Sequence, residues 1–177
     1  ITHLAGSSSW RMMAQISGLE HHRLLPYLGV MRLFFGLEPT PEACLEVAAW
    51  RDRALPPLDR PVPAQNLHIT LAFLGDVPPR KIEALMDNVT GVRAGALQVS
   101  LDELGYWPKP RILWLGPVTT PAPVALLARD LRRAARTAQI SVDNRDYRAH
   151  LTIARNCLTP PPAAVMLPAV ILTFSRF

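Results

Sequence analysis

Hydrophobic and polar positions along residues 31–177 switch repeatedly between two periods, and the switches cut the chain into short elements. Residues 32–37, Arg-Leu-Phe-Phe-Gly-Leu, are a brief apolar run that reads as a buried strand. Thr40-Pro41-Glu42 then offers a capping hydroxyl, a proline suited to the first helical position and an acid in the first turn. A helix is expected from there to about Leu55, where Pro56-Pro57 stop it. Residues 56–65 hold four prolines and read as a loop, and residues 66–74 read as a strand that ends at Gly75-Asp76. After Pro78-Pro79, Ile82, Leu85, Met86 and Val89 have the spacing of one buried helical face. Residues 96–104 and 111–115 alternate as strands on either side of an aromatic turn, Gly105-Tyr106-Trp107-Pro108-Lys109-Pro110. A third helix starts near Pro121, with Val124, Leu127, Ala128, Leu131, Ala135 and Ala138 inward and Arg129, Arg132, Arg133 and Arg136 outward. Residues 147–155 and 169–177 complete the set as strands, divided by the loop at Pro160-Pro161-Pro162.

A helix followed by a strand thus occurs twice, which points to a duplicated, two-lobed α+β architecture. Residues 1–30 are rich in Ser, His and Met and sustain neither period, so they are expected to be a mobile extension, with the folded domain starting at Met31.

The two strands of that echo carry the same four-residue pattern, His68-Ile69-Thr70-Leu71 and His150-Leu151-Thr152-Ile153. With ten threonines and five histidines in 177 residues, two His-x-Thr pairs would arise by chance in about three per cent of such chains. On an extended strand, side chains two apart share a face, so each His points with its Thr. Strict alternation puts Leu67, Ile69, Leu71 and Phe73 on one face of the first strand, and His68, Thr70, Ala72 and Leu74 on the other. In the second strand, Ala149, Leu151 and Ile153 oppose His150, Thr152 and Ala154. Two such strands side by side would converge two imidazoles and two hydroxyls. One neutral imidazole can take a proton from water while a protonated one gives a proton to a departing oxygen, and hydroxyls can donate to the oxygens between. This is phosphodiester chemistry that needs no cofactor. A zinc site is disfavoured, because no carboxylate or thiolate accompanies either motif and threonine is a poor ligand.

Composition narrows the setting. Apolar residues make up 49 %, enough for a packed core, and no run of eighteen apolar residues suggests a membrane span. The net charge of +5 comes from seventeen arginines and two lysines, which suits a polyanionic partner. Cys44 and Cys157 fit neither a metal spacing nor a disulfide framework, so a cytoplasmic location is expected.

The paired motifs resemble those of the two-histidine (2H) phosphoesterase superfamily. The opening MRLFFGLEP, the strands NLHITLAFLGDV and YRAHLTIAR and the segment GYWPKPRILWLG are similar to the RNA 2′,3′-cyclic phosphodiesterase, or 2′-5′ RNA ligase, family. The resemblance covers residues 31–177 and implies a bilobal α+β fold with a central cleft between two pseudo-symmetric antiparallel-sheet lobes with outer helices. It implies hydrolysis of a terminal ribose 2′,3′-cyclic phosphate to a 2′-phosphomonoester, with 2′-5′ ligation in some members, by a monomer acting on RNA ends, tRNA fragments among them. Carried over by motif, His68 would be the proton donor and His150 the proton acceptor, with Thr70 and Thr152 holding the phosphate. Ile69, Leu71, Leu151, Ile153 and Arg155 would border the substrate. Arg155 has the opposite strand parity to His150, so its role requires the strand to bend or end there. Tyr106, Trp107, Trp114 and Phe35 are candidates for stacking on a base. Family members continue past the position of Phe177, so the domain is expected to be truncated at its C-terminus, and residues 1–30 match nothing in the family. A non-catalytic nucleotide-binding module of the same fold, or a phosphodiesterase for a smaller cyclic phosphate, are the competing readings.

Overall fold

A computed structural model describes residues 2–7, 10–14, 31–162 and 166–174. In chain order the elements are β1 (Thr2–Ser7), β2 (Trp10–Ala14), β3 (Met31–Leu37), α1 (Pro41–Ala54), β4 (Arg60–Pro61) and β5 (Ile69–Val77). There follow α2 (Ile82–Val89), β6 (Leu97–Ser100), β7 (Glu103–Trp107), β8 (Ile112–Gly116), α3 (Ala122–Thr137), β9 (Leu151–Arg155) and β10 (Ile171–Phe174). The principal sheet is antiparallel in the order β1-β2-β3-β5-β9-β8-β7, with β4 added along β9, and β6 pairs with β10 in a second sheet. At its middle, β5 and β9 are joined through one residue pair, Ile69 opposite Leu151. Two groups of strands therefore meet at a point, as the expected two-lobed α+β plan requires.

Local chemistry accounts for the helices. The Thr40 hydroxyl accepts the Ala43 N–H at 3.3 Å to cap α1, and Pro41 occupies its first turn. The inward face of α3 is buried as its spacing predicts, and the helix packs on α2 and on β5. Trp50 of α1 donates its indole N–H to the Met166 carbonyl at 2.8 Å, fastening the segment before β10. The core runs continuously beneath the sheet, with Leu33, Phe35, Leu37, Ile69, Leu71, Leu113, Leu115, Leu151 and Ile153 all at most 2 % exposed.

Three expectations are corrected. Residues 96–104 are two strands in different sheets, broken at Leu101-Asp102, where the Asp102 carboxylate accepts the Val118 N–H at 2.7 Å and the Ser100 hydroxyl at 2.9 Å. Alternation persists across a change of partner, so the pattern could not reveal it. Gly105-Tyr106-Trp107 belong to β7 rather than to a turn, and the reversal comes at 108–111, with Arg111 at φ 63°. Within residues 1–30, β1 and β2 form a hairpin on the edge of β3, where an unpaired strand edge recruits backbone irrespective of side-chain period. The rest of that segment, and residues 163–165 and 175–177, lie outside the described residues.

Arg51 of α1 is 6 % exposed. Its Nη1 donates to the carbonyls of Val62 (2.5 Å) and Ile153 (3.3 Å), and its Nε to Asp52 (2.8 Å). Buried acceptors that lose a charged donor cost about 1–3 kcal/mol. Arg51→Ala is expected to lower the unfolding free energy by about 2–3 kcal/mol in urea titration, while Arg53→Ala, exposed on the same helix, changes it by less than about 0.5 kcal/mol.

Candidate active site

Each motif strand contains a bulge at the same place. Across β3 and β5, Gly36 pairs with Thr70 and Phe35 with Ala72, which leaves Leu71 as an extra residue. Across β8 and β9, Trp114 pairs with Thr152 and Leu113 with Ala154, which leaves Ile153 extra. An inserted residue resets the face of everything after it. Hence Leu71 and Ala72 are both buried, as are Ile153 and Ala154, and the side chains that follow, Phe73 and Arg155, emerge on the histidine face. This corrects the strict alternation, which had sent Phe73 inward and had put Ala72, Leu74 and Ala154 beside the histidines. It also meets the condition for Arg155, because the strand bends at Ile153. A second irregularity in β5, at Leu74 and Gly75, returns the strand to register with Leu33, and Gly75 has the positive φ of 63° that a residue without a Cβ adopts readily.

Both histidines are held alike. The Nδ1–H of His68 donates to the Asn66 carbonyl at 2.7 Å, and that of His150 to the Arg148 carbonyl at 2.9 Å. Each bond reaches two residues back along the chain and leaves Nε2 as the nitrogen turned away from the backbone. The pair Ile69 and Leu151 fixes the antiparallel register at the seam, so His68 lies across from Thr152 and Thr70 across from His150. Burial pushes the His68 imidazole down to about 4, and the positive charges of Arg155 and of a protonated His150 add to the shift against the opposing pull of its carbonyl partner. Burial likewise lowers His150, reinforced by Arg155 and Arg148. One guanidinium thus acts on both imidazoles, and both shifts favour the neutral ring.

The walls are aromatic and unequal. The Phe34 ring lies 4.8 Å from that of His68, centroid to centroid. Trp107 stands edge-on to His150 at 4.5 Å, and behind both lies Trp114, 5.2 Å from Trp107 and 6.4 Å from His150. The Arg148 guanidinium covers the Trp114 ring at 4.5 Å and is held by Glu103 at 2.5 Å. Trp114 lies across Gly105 so closely that a Cβ there would stand 1.9 Å from the indole, so only glycine fits. Arg32 lies over the Phe73 ring at 5.2 Å.

Of the residues singled out from sequence, the structure brings His68, Thr70, His150, Thr152 and Arg155 to one face. Ile69, Leu71, Leu151 and Ile153 are at most 1 % exposed, so their side chains fill the core rather than stand on the histidine face. Among the proposed stacking residues, Phe35 (0 % exposed) and Trp114 (2 %) are buried, and Tyr106 donates its hydroxyl to the Cys157 carbonyl at 2.8 Å. Trp107 stays beside His150 and half-buried. Phe34 and Phe73 were missed: the first because a fully apolar strand hides which side faces the site, the second because of the bulge. The outer arginines of α3 are engaged locally. Arg129 and Arg133 meet Asp130, Arg132 the Arg145 carbonyl, and Arg136 the Asn144 amide. Among the described residues no three of His, Cys, Asp and Glu cluster as a metal site requires, and no helix is long and apolar enough to cross a membrane. Burial pushes the Cys44 thiol up to about 11, which makes it unreactive.

Known proteins resemble this chain in sequence and in fold. The family model described as LigT-like phosphoesterase matches residues 37–114. The RNA 2′,3′-cyclic phosphodiesterase of Escherichia coli is 36 % identical over 136 residues, which is 74 % of this chain and 77 % of that protein. The crystal structure of E. coli LigT in apo form superposes with a TM-score of 0.74 at 32 % identity, covering 82 % of this chain and 84 % of the other. The complex of E. coli LigT with 3′-AMP gives 0.73 at 31 % identity, covering 81 % and 83 %.

The lowered histidines tie stability to pH. Below about 6.5 the unfolded chain binds protons on imidazole that the folded site refuses, so stability present at neutral pH is lost as pH falls towards about 4. The urea midpoint of the wild type is expected to drop across that window. The drop should be smaller in His68→Gln, and inorganic phosphate should oppose it by favouring imidazolium.

Proposed function

The chain belongs to the LigT-like phosphoesterase family, and from that membership and the geometry of its cleft we propose that it hydrolyses RNA terminal 2′,3′-cyclic phosphates to 2′-phosphomonoesters. One observation carries the reading: two imidazoles presented with the same backbone hydrogen bond, each across a single-pair seam from the other motif's threonine. In the proposed reaction His150 takes the proton of an attacking water through Nε2. The water oxygen bonds to phosphorus, the P–O3′ bond breaks, and His68 gives its proton to the departing O3′. Thr70 and Thr152 donate to the two non-bridging oxygens, whose charge grows in the transition state. Arg155 supplies the fixed positive charge of the site. A 5′-hydroxyl in place of the water gives the 2′-5′ linkage by the same steps, so ligation is part of the proposal. The roles need one ring protonated and one neutral. The arriving phosphate supplies the difference, because its negative charge raises both imidazoles from their depressed values. We assign the activity to the cytoplasm, and to RNA ends rather than to a membrane-bound substrate.

An RNA oligonucleotide ending in a 2′,3′-cyclic phosphate is expected to open to a 2′-phosphate in EDTA, with product position read by phosphorus NMR. His68→Ala and His150→Ala should each lower kcat by about 10²–10⁴-fold with unchanged circular dichroism. Full turnover in either variant, or a 3′-phosphate product, would defeat the assignment. The two pH profiles should also separate. The singly protonated free enzyme is most populated between the two lowered values, so kcat/KM is expected to peak below pH 6.5, and kcat, measured on the complex, at higher pH.

A further inference from the structure

The two imidazoles make the same hydrogen bond, but the carbonyls that accept it are secured by different means. Asn66 closes a single 3₁₀ turn, Ala64–Asn66. In it the Asn66 N–H donates to the Pro63 carbonyl at 2.9 Å and the Leu67 N–H to the Ala64 carbonyl at 3.1 Å. Local backbone bonds therefore fix the carbonyl that holds His68. Residues 146–150, by contrast, lie outside any helix or strand, and β9 begins only at Leu151. Contacts with other segments hold this stretch instead. The Ala149 N–H donates to the Thr120 hydroxyl at 3.1 Å. Gly116 of β8 approaches so closely that a Cβ there would stand 2.7 Å from the Ala149 carbonyl and 3.4 Å from the His150 Cα. The Arg148 guanidinium is gripped on two sides, by the Glu103 carboxylate of β7 at 2.5 Å and by the Trp114 ring of β8 at 4.5 Å.

This grip is poorly placed to stabilise the fold. The Arg148 and Glu103 side chains are 43 % and 33 % exposed, and an ion pair so close to solvent contributes little to stability. It is well placed to fix a direction. A planar guanidinium stacked on an indole and bonded to a carboxylate at its edge keeps little freedom. Trp114 is itself seated across Gly105, where no Cβ fits. The backbone of Arg148 is thereby tied to β7 and β8, and its carbonyl meets the His150 Nδ1–H at 2.9 Å. Resting on the function proposed above, we infer that Arg148, gripped by Glu103 and Trp114, is a positioning residue for His150. It holds the Nδ1–H tautomer, so the lone pair that takes the proton of water stands at Nε2. The opposite tautomer would carry its proton on Nε2 and could not act as the acceptor. His68 needs no such side chain, because its turn supplies the same hold from the backbone.

Nitrogen NMR of the imidazoles, at alkaline pH with both rings neutral, reads the tautomers without relying on turnover. In the wild type, His68 and His150 are both expected in the Nδ1–H form. Arg148→Ala should move His150 to a mixture of tautomers and leave His68 unchanged. Arg148→Lys, which keeps the charge but loses the planar stack, should fall between the wild type and Arg148→Ala. Glu103→Gln should shift His150 in the same direction and melt within about 4 °C of the wild type, so it carries the test even where Arg148→Ala does not fold. On the cyclic phosphate, Arg148→Ala is expected to lower kcat by about 10–10²-fold, the scale of a small misplacement, with KM within about twofold. An unmoved His150 signal in Glu103→Gln, an equal change at His68, a larger fall in the melting temperature of Glu103→Gln, or a shifted tautomer with undiminished kcat would each overturn the inference. Should the tautomer shift while the wild type leaves cyclic phosphate unopened, the positioning stands and the proposed reaction falls.

Discussion

The site depends on one inserted residue per motif strand. A strand alternates faces without exception until a bulge interrupts it, and the bulges at Leu71 and Ile153 fall at the same motif position in both halves. Before each bulge the strand offers His and Thr to the cleft. After it, the same strand commits Ala72 or Ala154 to the core and turns Phe73 or Arg155 outward. Without the bulge at Ile153, Arg155 would point into an apolar interior, where an unpaired charge is not tolerated. The fold secures this irregularity from below, since the Ile153 carbonyl is bonded both to the Val62 N–H and to the buried guanidinium of Arg51.

The electrostatics follow from burial more than from charge. Desolvation is the largest influence on both imidazoles, and their carbonyl partners offset part of it. Such a site favours neutral rings beside a positive rim. A phosphate entering it both meets the cation and creates the imidazolium that the proposed chemistry uses. The proton inventory is completed by the ligand, which ties catalytic competence to occupancy.

Much of this was legible in the sequence, and the reasons differ by element. Thr40-Pro41-Glu42 announces a helix because capping chemistry is local, and the inward face of α3 is legible because six apolar residues recur at helical spacing. The paired motifs disclosed the four polar side chains, since strand parity over three residues is unaffected by what comes later. The bulges were hidden because Ile69-Thr70-Leu71-Ala72 and Leu151-Thr152-Ile153-Ala154 end in two apolar residues, and either phase of alternation accommodates them. The change of sheet at Asp102, the two-residue β4 and the strands before Met31 were hidden for another reason. Each depends on which backbone lies alongside, and no property of the segment itself records that.

The two halves are copies in backbone but not in volume. Where Trp114 faces Thr152, its counterpart facing Thr70 is Gly36, and where Arg155 follows one bulge, Phe73 follows the other. A pocket with true twofold symmetry would accept a ribose phosphate in either polarity, and half of all encounters would be nonproductive. Here one half carries an indole and a charge, while the other carries a glycine and an aromatic ring. In the proposed reaction, that unequal bulk is what distinguishes two imidazoles that the backbone presents alike.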